Sequence, residues 1–277
     1  MMFDFSRNIK ENMIPGKPMV CAHRGVSGGN IPCNTLGAFQ CALYQGADMI
    51  ELDVAVSRDK NLYVFHPGME WPHAKTRRLI LCTGSKNVDK MRFVNQDMTK
   101  TEYPVSKLED VLDFLKGKCY INVDKFWTDI PRITNCIRKC GVEKQVIVKT
   151  PAKEKYYKEI EACAPDFMYL PVVHHEDKVT AALEKRNINC IGAEICFDSE
   201  EDPVAGEQYV EEMHGRGKVI FANAIVYNYK DVLAAGYSDD TSIIKGPEYG
   251  WGKLIDRGYD IIQTDWCAML KSYIYTR

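Results

Sequence analysis

Along the chain, short apolar runs alternate with longer stretches whose apolar residues recur every three or four positions. The short runs cover 18–22, 48–54, 119–123, 145–149, 167–171, 190–195, 218–223 and 260–264. Their length and near-continuous hydrophobicity fit strands buried on both faces. Between them the spacing predicts helices over 34–45, 105–115, 129–140, 151–163, 178–186, 203–216 and 250–257. Strands interleaved with helices predict an α/β fold with a parallel sheet, and a count of eight predicts a closed (β/α)₈ barrel, the TIM barrel. An open doubly wound sheet is the runner-up. It usually carries a glycine-rich turn after its first strand, and no G-x-G-x-x-G stands in this chain.

The rhythm breaks once. Between Asp53 and the helix expected at 105 lie about fifty residues, including a strand-like run at 62–65 and a basic, polar stretch from His73 to Lys100. Loops in α/β units run roughly 2–6 residues, so this segment is expected to be an insertion after strand 2, about 54–104. It leaves the carboxyl end of a strand, the face on which barrel enzymes build their sites. Its Lys75, Arg77, Arg78 and Lys86 could attract an anionic head group, although such runs are commonly just solvated. No repeat or linker divides the chain, and one domain is expected over 1–277.

Composition narrows the function classes. The chain has 277 residues, 45% hydrophobic and 27% charged, with a formal net charge of −2. A (β/α)₈ barrel typically takes roughly 250 residues. The charge argues against nucleic acid as a partner but leaves room for a small anionic substrate. Eleven cysteines lie scattered with no Cys-x-x-Cys pair, which reads as thiols in a reducing compartment. The first 18 residues lack an apolar h-region and no stretch approaches a membrane span, so a cytoplasmic protein without stable membrane association is expected. Oligomeric state is not readable.

The candidate chemistry clusters at strand ends. Glu51 and Asp53, two apart on one strand, point the same way and can reach one hard cation. His23 and Arg24 close the first strand, and His66 follows the run at 62–65, so the acid pair is bracketed by groups that move protons near neutral pH. Asp124 ends the third strand. Lys149, ending strand four, could hold phosphate or be a solvated helix-start lysine. Glu194 near the end of strand six is flanked by apolar residues, and Asn223 ends strand seven. His174 and His175 are expected in a surface loop, with His73 and His214 structural or exposed. Each residue alone is a weak signal, but in a barrel these ends converge on one mouth.

The segment AHRGVSGGNIPCNTLGAFQCALYQGADMIELDVAVSRDKNLYVFHPG resembles the glycerophosphodiester phosphodiesterase family, with its HRG, P-E-N-T, E-x-D and strand-terminal histidine in order. YPVSKLEDVL, INVDKF and LIDRGYDIIQTDWCAMLKSYI, with its Thr264-Asp265 pair, extend the likeness to about Tyr273. The resemblance implies a TIM barrel with an insertion after strand two. It also implies a divalent ion, Mg²⁺ or Ca²⁺, held by Glu51, Asp53 and Asp124, with Arg24 on the phosphate and His23 and His66 as the acid–base pair, their roles unassigned. The implied reaction is hydrolysis of a small-molecule glycerophosphodiester to glycerol 3-phosphate and an alcohol, through a cyclic phosphate. Three departures stand out: Cys33 replaces the glutamate of P-E-N-T, Pro67 follows His66 where aspartate is usual, and Asp124 replaces a glutamate. Two alternatives are a sphingomyelinase-D-like lyase that stops at the cyclic phosphate and a non-catalytic phosphodiester-binding module.

Overall fold

The computed structural model describes residues 3–226 and 230–277; positions 1–2 and 227–229 of the span expected as one domain lie outside the description. The strands are, in chain order, β1 (Met19–Ala22), β2 (Met49–Val56), β3 (Leu62–Val64), β4 (Arg92–Val94), β5 (Lys100–Pro104), β6 (Tyr120–Asp124), β7 (Val146–Pro151), β8 (Met168–His174), β9 (Gly192–Cys196), β10 (Val219–Asn223) and β11 (Ile261–Thr264). Eight of them run parallel in the order β1, β2, β6, β7, β8, β9, β10, β11, and β11 pairs back onto β1, closing the barrel. Each corresponds to one of the eight apolar runs, with ends displaced by one to three residues.

Alternation sorts the strand side chains into two environments. One set (Val20, Ile50, Leu52, Ile121, Val123, Val148 among them) packs outward against the helices in a single large core. The other set points into the barrel and changes character along the axis. At the amino-terminal end it is apolar: Met19, Met49, Tyr120, Ile147, Leu170, Val219 and Ile261, closed from below by Ile9 with Phe3 and Phe5. Phe3 and Phe5 meet the Tyr120 ring edge-on at 5.3 and 5.1 Å, and Asn12 donates to the Tyr120 hydroxyl at 2.8 Å. Towards the carboxyl end the interior turns polar, with Glu51, Asp53, Asn122, Lys149, Glu194, Asn223 and Gln263 all buried. A buried ring of charge is costly unless paired or put to use, so this end is the place to look for chemistry.

The segment after β2 builds an annex. β3 turns back antiparallel on the outer half of β2, pairing Val54 with Val64, and β4 and β5 form a separate hairpin. Ala55, Tyr63, Phe65, Ile80, Val88, Phe93 and Val105 give it a small core of its own. The helix expected over 178–186 shrinks to Thr180–Leu183, and that over 203–216 divides into a 3₁₀ turn at Pro203–Ala205 and a helix at Glu207–Gly215. Gly206 holds an extended backbone at the break. A helix at Asp239–Ile244 was not expected; it is capped by Ser238, whose hydroxyl accepts from the Thr241 N–H. Its six residues are too short to show a periodic stripe.

Candidate active site

Parallel register assembles the acidic group. β2 and β6 pair with Glu51 beside Asn122 and Asp53 beside Asp124, so one face of two adjacent strands carries all four side chains inward. Carboxylate oxygens of Glu51, Asp53 and Asp124 lie within 4.8 Å of one another. Burial, reinforced by the neighbouring Asp53 charge, pushes the Glu51 carboxyl up to about 7. Asp53 is fully buried, and its Oδ1 has no hydrogen-bond partner. Three converging carboxylates, one of whose buried oxygens has no hydrogen-bond donor, fit a hard divalent cation.

The turn after β1 wraps this trio. Arg24 adopts a left-handed backbone (φ 56°), which lets its N–H donate to Glu51 Oε2 at 2.9 Å while its guanidinium Nε lies 2.9 Å from Asp53 Oδ2. Gly25 follows at φ 76°, and a Cβ there would stand 2.7 Å from the Ala38 carbonyl carbon; only glycine fits. Asn34, also left-handed, donates from Nδ2 to Asp53 Oδ2 at 2.9 Å, and Thr35 caps the helix Leu36–Tyr44 through the Ala38 N–H. Cys33, where the family motif has glutamate, lines a cavity of about 630 Å³ with His23, Arg24, Asp265 and Trp266. Burial raises its thiol to about 11, so it is neutral at physiological pH.

The two histidines are tuned in opposite directions. His23 Nδ1 lies 2.9 Å from Asp265 Oδ1. Burial works against its protonation, but the Asp265 bond and the Glu51 charge outweigh it, and its pKa is raised. A carboxylate only accepts, so Nδ1 carries the hydrogen and Nε2 is left free for the site. His66 stands with Nε2 3.8 Å from Asp53 Oδ1 and no partner on Nδ1. Burial lowers its pKa, only partly offset by Asp53.

Two lysines complete the charge balance. Lys125, in a left-handed conformation, places Nζ 2.9 Å from Asp124 Oδ2 and 3.9 Å from Asp53 Oδ1. Burial alone would raise the Asp124 carboxyl, yet Lys149 and Lys125 hold it near 2. Lys149 is neither solvated nor free: it is buried, with Nζ 2.9 Å from Glu194 Oε2. Glu194 also accepts from Asn223 Nδ2 at 2.9 Å, and Asn223 Oδ1 accepts from Gln263 at 2.8 Å. Lys149 and Glu194 line a second cavity of about 600 Å³ with Asp124, Lys125 and Trp127.

All eight residues singled out in the sequence thus lie at one end of the barrel. The expectation of a loop for His174 is corrected, since it is the last residue of β8 and lines the second cavity. His175 does lie beyond the strand, exposed, with Asp202 at 2.9 Å. His73 is structural, packed against Phe65 and Phe93, with burial lowering its pKa to about 4. Lys125 and Asp239 escaped the sequence reading. Neither was singled out there.

A family profile described as a domain of unknown function matches residues 169–274, from β8 to the last helix. The chain is 27% identical over 221 residues to the glycerophosphodiester phosphodiesterase of Bacillus subtilis (strain 168), covering 70% of this chain and 73% of that one. It is 52% identical over 50 residues to that of Caldanaerobacter subterraneus subsp. tengcongensis, covering 18% of this chain but only 20% of the relative. Both of these relatives are named glycerophosphodiester phosphodiesterases. In fold it matches the crystal structure of a glycerophosphoryl diester phosphodiesterase from Parabacteroides distasonis, with TM-score 0.76 and 18% identity over 94% of this chain and 87% of that one. An Oleispira antarctica phosphodiesterase in complex with the product sn-glycerol-3-phosphate matches with TM-score 0.68 and 18% identity over 94% and 97% of the two chains. These structures carry the TIM barrel. Among the described residues, no helix is long and apolar enough to cross a membrane.

Proposed function

We propose that this chain is a divalent-metal-dependent phosphodiesterase that hydrolyses glycerophosphodiesters to glycerol 3-phosphate and an alcohol. The observation that carries the reading is the convergence of three carboxylates, Glu51, Asp53 and Asp124, beside two histidines shifted in opposite directions. The trio would hold Mg²⁺ or Ca²⁺, which when bound supplies charge to offset that developing on the phosphate oxygens. Arg24 would take a phosphate oxygen with the guanidinium nitrogens it does not turn to Asp53.

The opposite shifts divide the labour. His66, its pKa lowered by burial, takes the proton of the attacking glycerol hydroxyl; His23, its pKa raised against burial by Asp265, gives the proton on Nε2 to the departing alcohol oxygen as its P–O bond breaks. The cyclic phosphate is then opened by water with the roles reversed, so that His23 takes a proton and His66 returns one. Lys149 and Glu194 line the cavity beside Asp124, where Lys149 would add positive charge near the phosphate, and the chain acts as a single catalytic unit whose annex after β2 carries His66.

The test is release of glycerol 3-phosphate from glycerophosphocholine, followed by ³¹P NMR with Mg²⁺, Ca²⁺ or EDTA and with H23A as control. Turnover that needs metal and vanishes in H23A is expected. Accumulation of only the cyclic phosphate would move the reading to a lyase, and no turnover on any glycerophosphodiester would overturn it.

A further inference from the structure

His23 Nδ1 is hydrogen-bonded to Asp265, whose side chain is 48% exposed. What is held is its backbone. The Asp265 N–H donates to Asp239 Oδ2 at 2.8 Å. The other oxygen of Asp239 accepts from Thr264 Oγ1 and from Trp251 Nε1, each at 2.7 Å. The Asp239 N–H is in turn fixed on the Ala224 carbonyl at 2.7 Å, and Thr264 Oγ1 accepts from the Trp266 N–H at 2.9 Å. One residue, 2% exposed, thus ties the end of β11 and the helix Trp251–Asp256 through its side chain, and the residue after β10 through its backbone, into a single frame.

The choice of residue is informative. Three donors and no acceptor converge on this position, a set that only a carboxylate can satisfy; an asparagine amide would set N–H against N–H. Burying a carboxylate is costly, and here burial lifts the carboxyl to about 7. Trp251 and Thr264 could have been packed at lower cost by apolar neighbours. The third bond, to Asp265, is the one that leads to the site.

We propose that Asp239 is a positioning residue for His23, acting through the Asp265 backbone, an inference that rests on the acid–base reading above. Asp239 fixes the Asp265 Cα, this sets the Asp265 Oδ1 to His23 Nδ1 distance of 2.9 Å, and that bond keeps the ring in the tautomer with Nε2 facing the site. The chain of contacts moves no proton; it holds geometry.

¹⁵N NMR of labelled histidine in the wild-type protein, D239N and W251F tests this without requiring turnover. The chain has six histidines, so the His23 signals are assigned with H23A. At a pH high enough to leave the ring neutral, wild-type His23 is expected to show Nδ1 protonated and Nε2 bare. D239N is expected to show mixed tautomers, with kcat on a glycerophosphodiester down about 10- to 100-fold and KM within about twofold. W251F removes a donor but leaves the Asp265 bond, and is expected to lower Tm while keeping the wild-type His23 signature. A D239N protein with wild-type His23 signals would overturn the inference and leave Asp239 a purely structural residue. Should D239N not fold, hydrogen exchange of the wild-type Asp265 amide decides: protection supports the frame, and exchange as fast as a free amide contradicts it. Failure of the phosphodiesterase reading would show separately, as a wild-type protein without turnover whose His23 tautomer is still fixed.

Discussion

The two walls of the barrel mouth solve the same problem in different ways. On the β1–β11 side, His23 is backed by Asp265 at 2.9 Å, and the Asp265 backbone N–H donates to the buried Asp239. On the annex side, His66 has no comparable partner; its Nδ1 is unbonded and its nearest carboxylate oxygen is 3.8 Å away. Against burial, the hydrogen-bonded Asp265 raises the pKa of one ring, whereas burial lowers that of the other with only partial offset from Asp53. In the proposed reaction these surroundings suit His23 to act as the acid and His66 as the base.

Removing either ring breaks the comparison outright. H23A and H66A are each expected to lower kcat about 10²- to 10⁴-fold, measured on a glycerophosphodiester at saturating metal. Equal losses support a pair acting together, and a large residual rate in either variant removes that residue from the chemistry. D265N should cost about tenfold to a hundredfold, because the amide can no longer hold the Nδ1–H tautomer with full charge. It should leave the His66 side untouched.

The floor between the walls gives smaller effects. Without an ion the Glu51 carboxyl sits near 7, so below that pH a proton competes with the metal. Divalent-ion affinity by calorimetry is expected to fall about tenfold per pH unit below 7 and to level off above it. Lys125 is a built-in cation beside two of the three acids, and K125M should bind the ion about tenfold tighter at low ionic strength. Unchanged affinity would mean that Lys125 moves aside at no cost.

Much of this arrangement was legible in the sequence, for reasons that are physical. The eight strands announced themselves because a strand buried on both faces needs an unbroken apolar run, as at 119–123. Glu51 and Asp53 were legible as a pair because strand alternation is strict. The Lys149–Glu194 pair was not, since two residues 45 positions apart meet only when β7 and β9 curve towards one another inside a closed barrel. Lys125 escaped because its left-handed backbone, which aims Nζ inward, leaves no mark on a non-glycine residue. Asp239 escaped because its short helix shows no periodic stripe, and its contact with the site runs through a partner 26 residues away.

The comparison is tested most directly by the pH profile of kcat/KM on glycerophosphocholine for the wild-type protein and D265N. A base that must be neutral is lost below its pKa, and an acid that must be protonated is lost above its own. A bell is therefore expected, with an acid limb set by His66 and an alkaline limb set by His23. In D265N the alkaline limb should move to lower pH while the acid limb stays in place. If the acid limb moves instead, or neither does, the two histidines do not hold these roles.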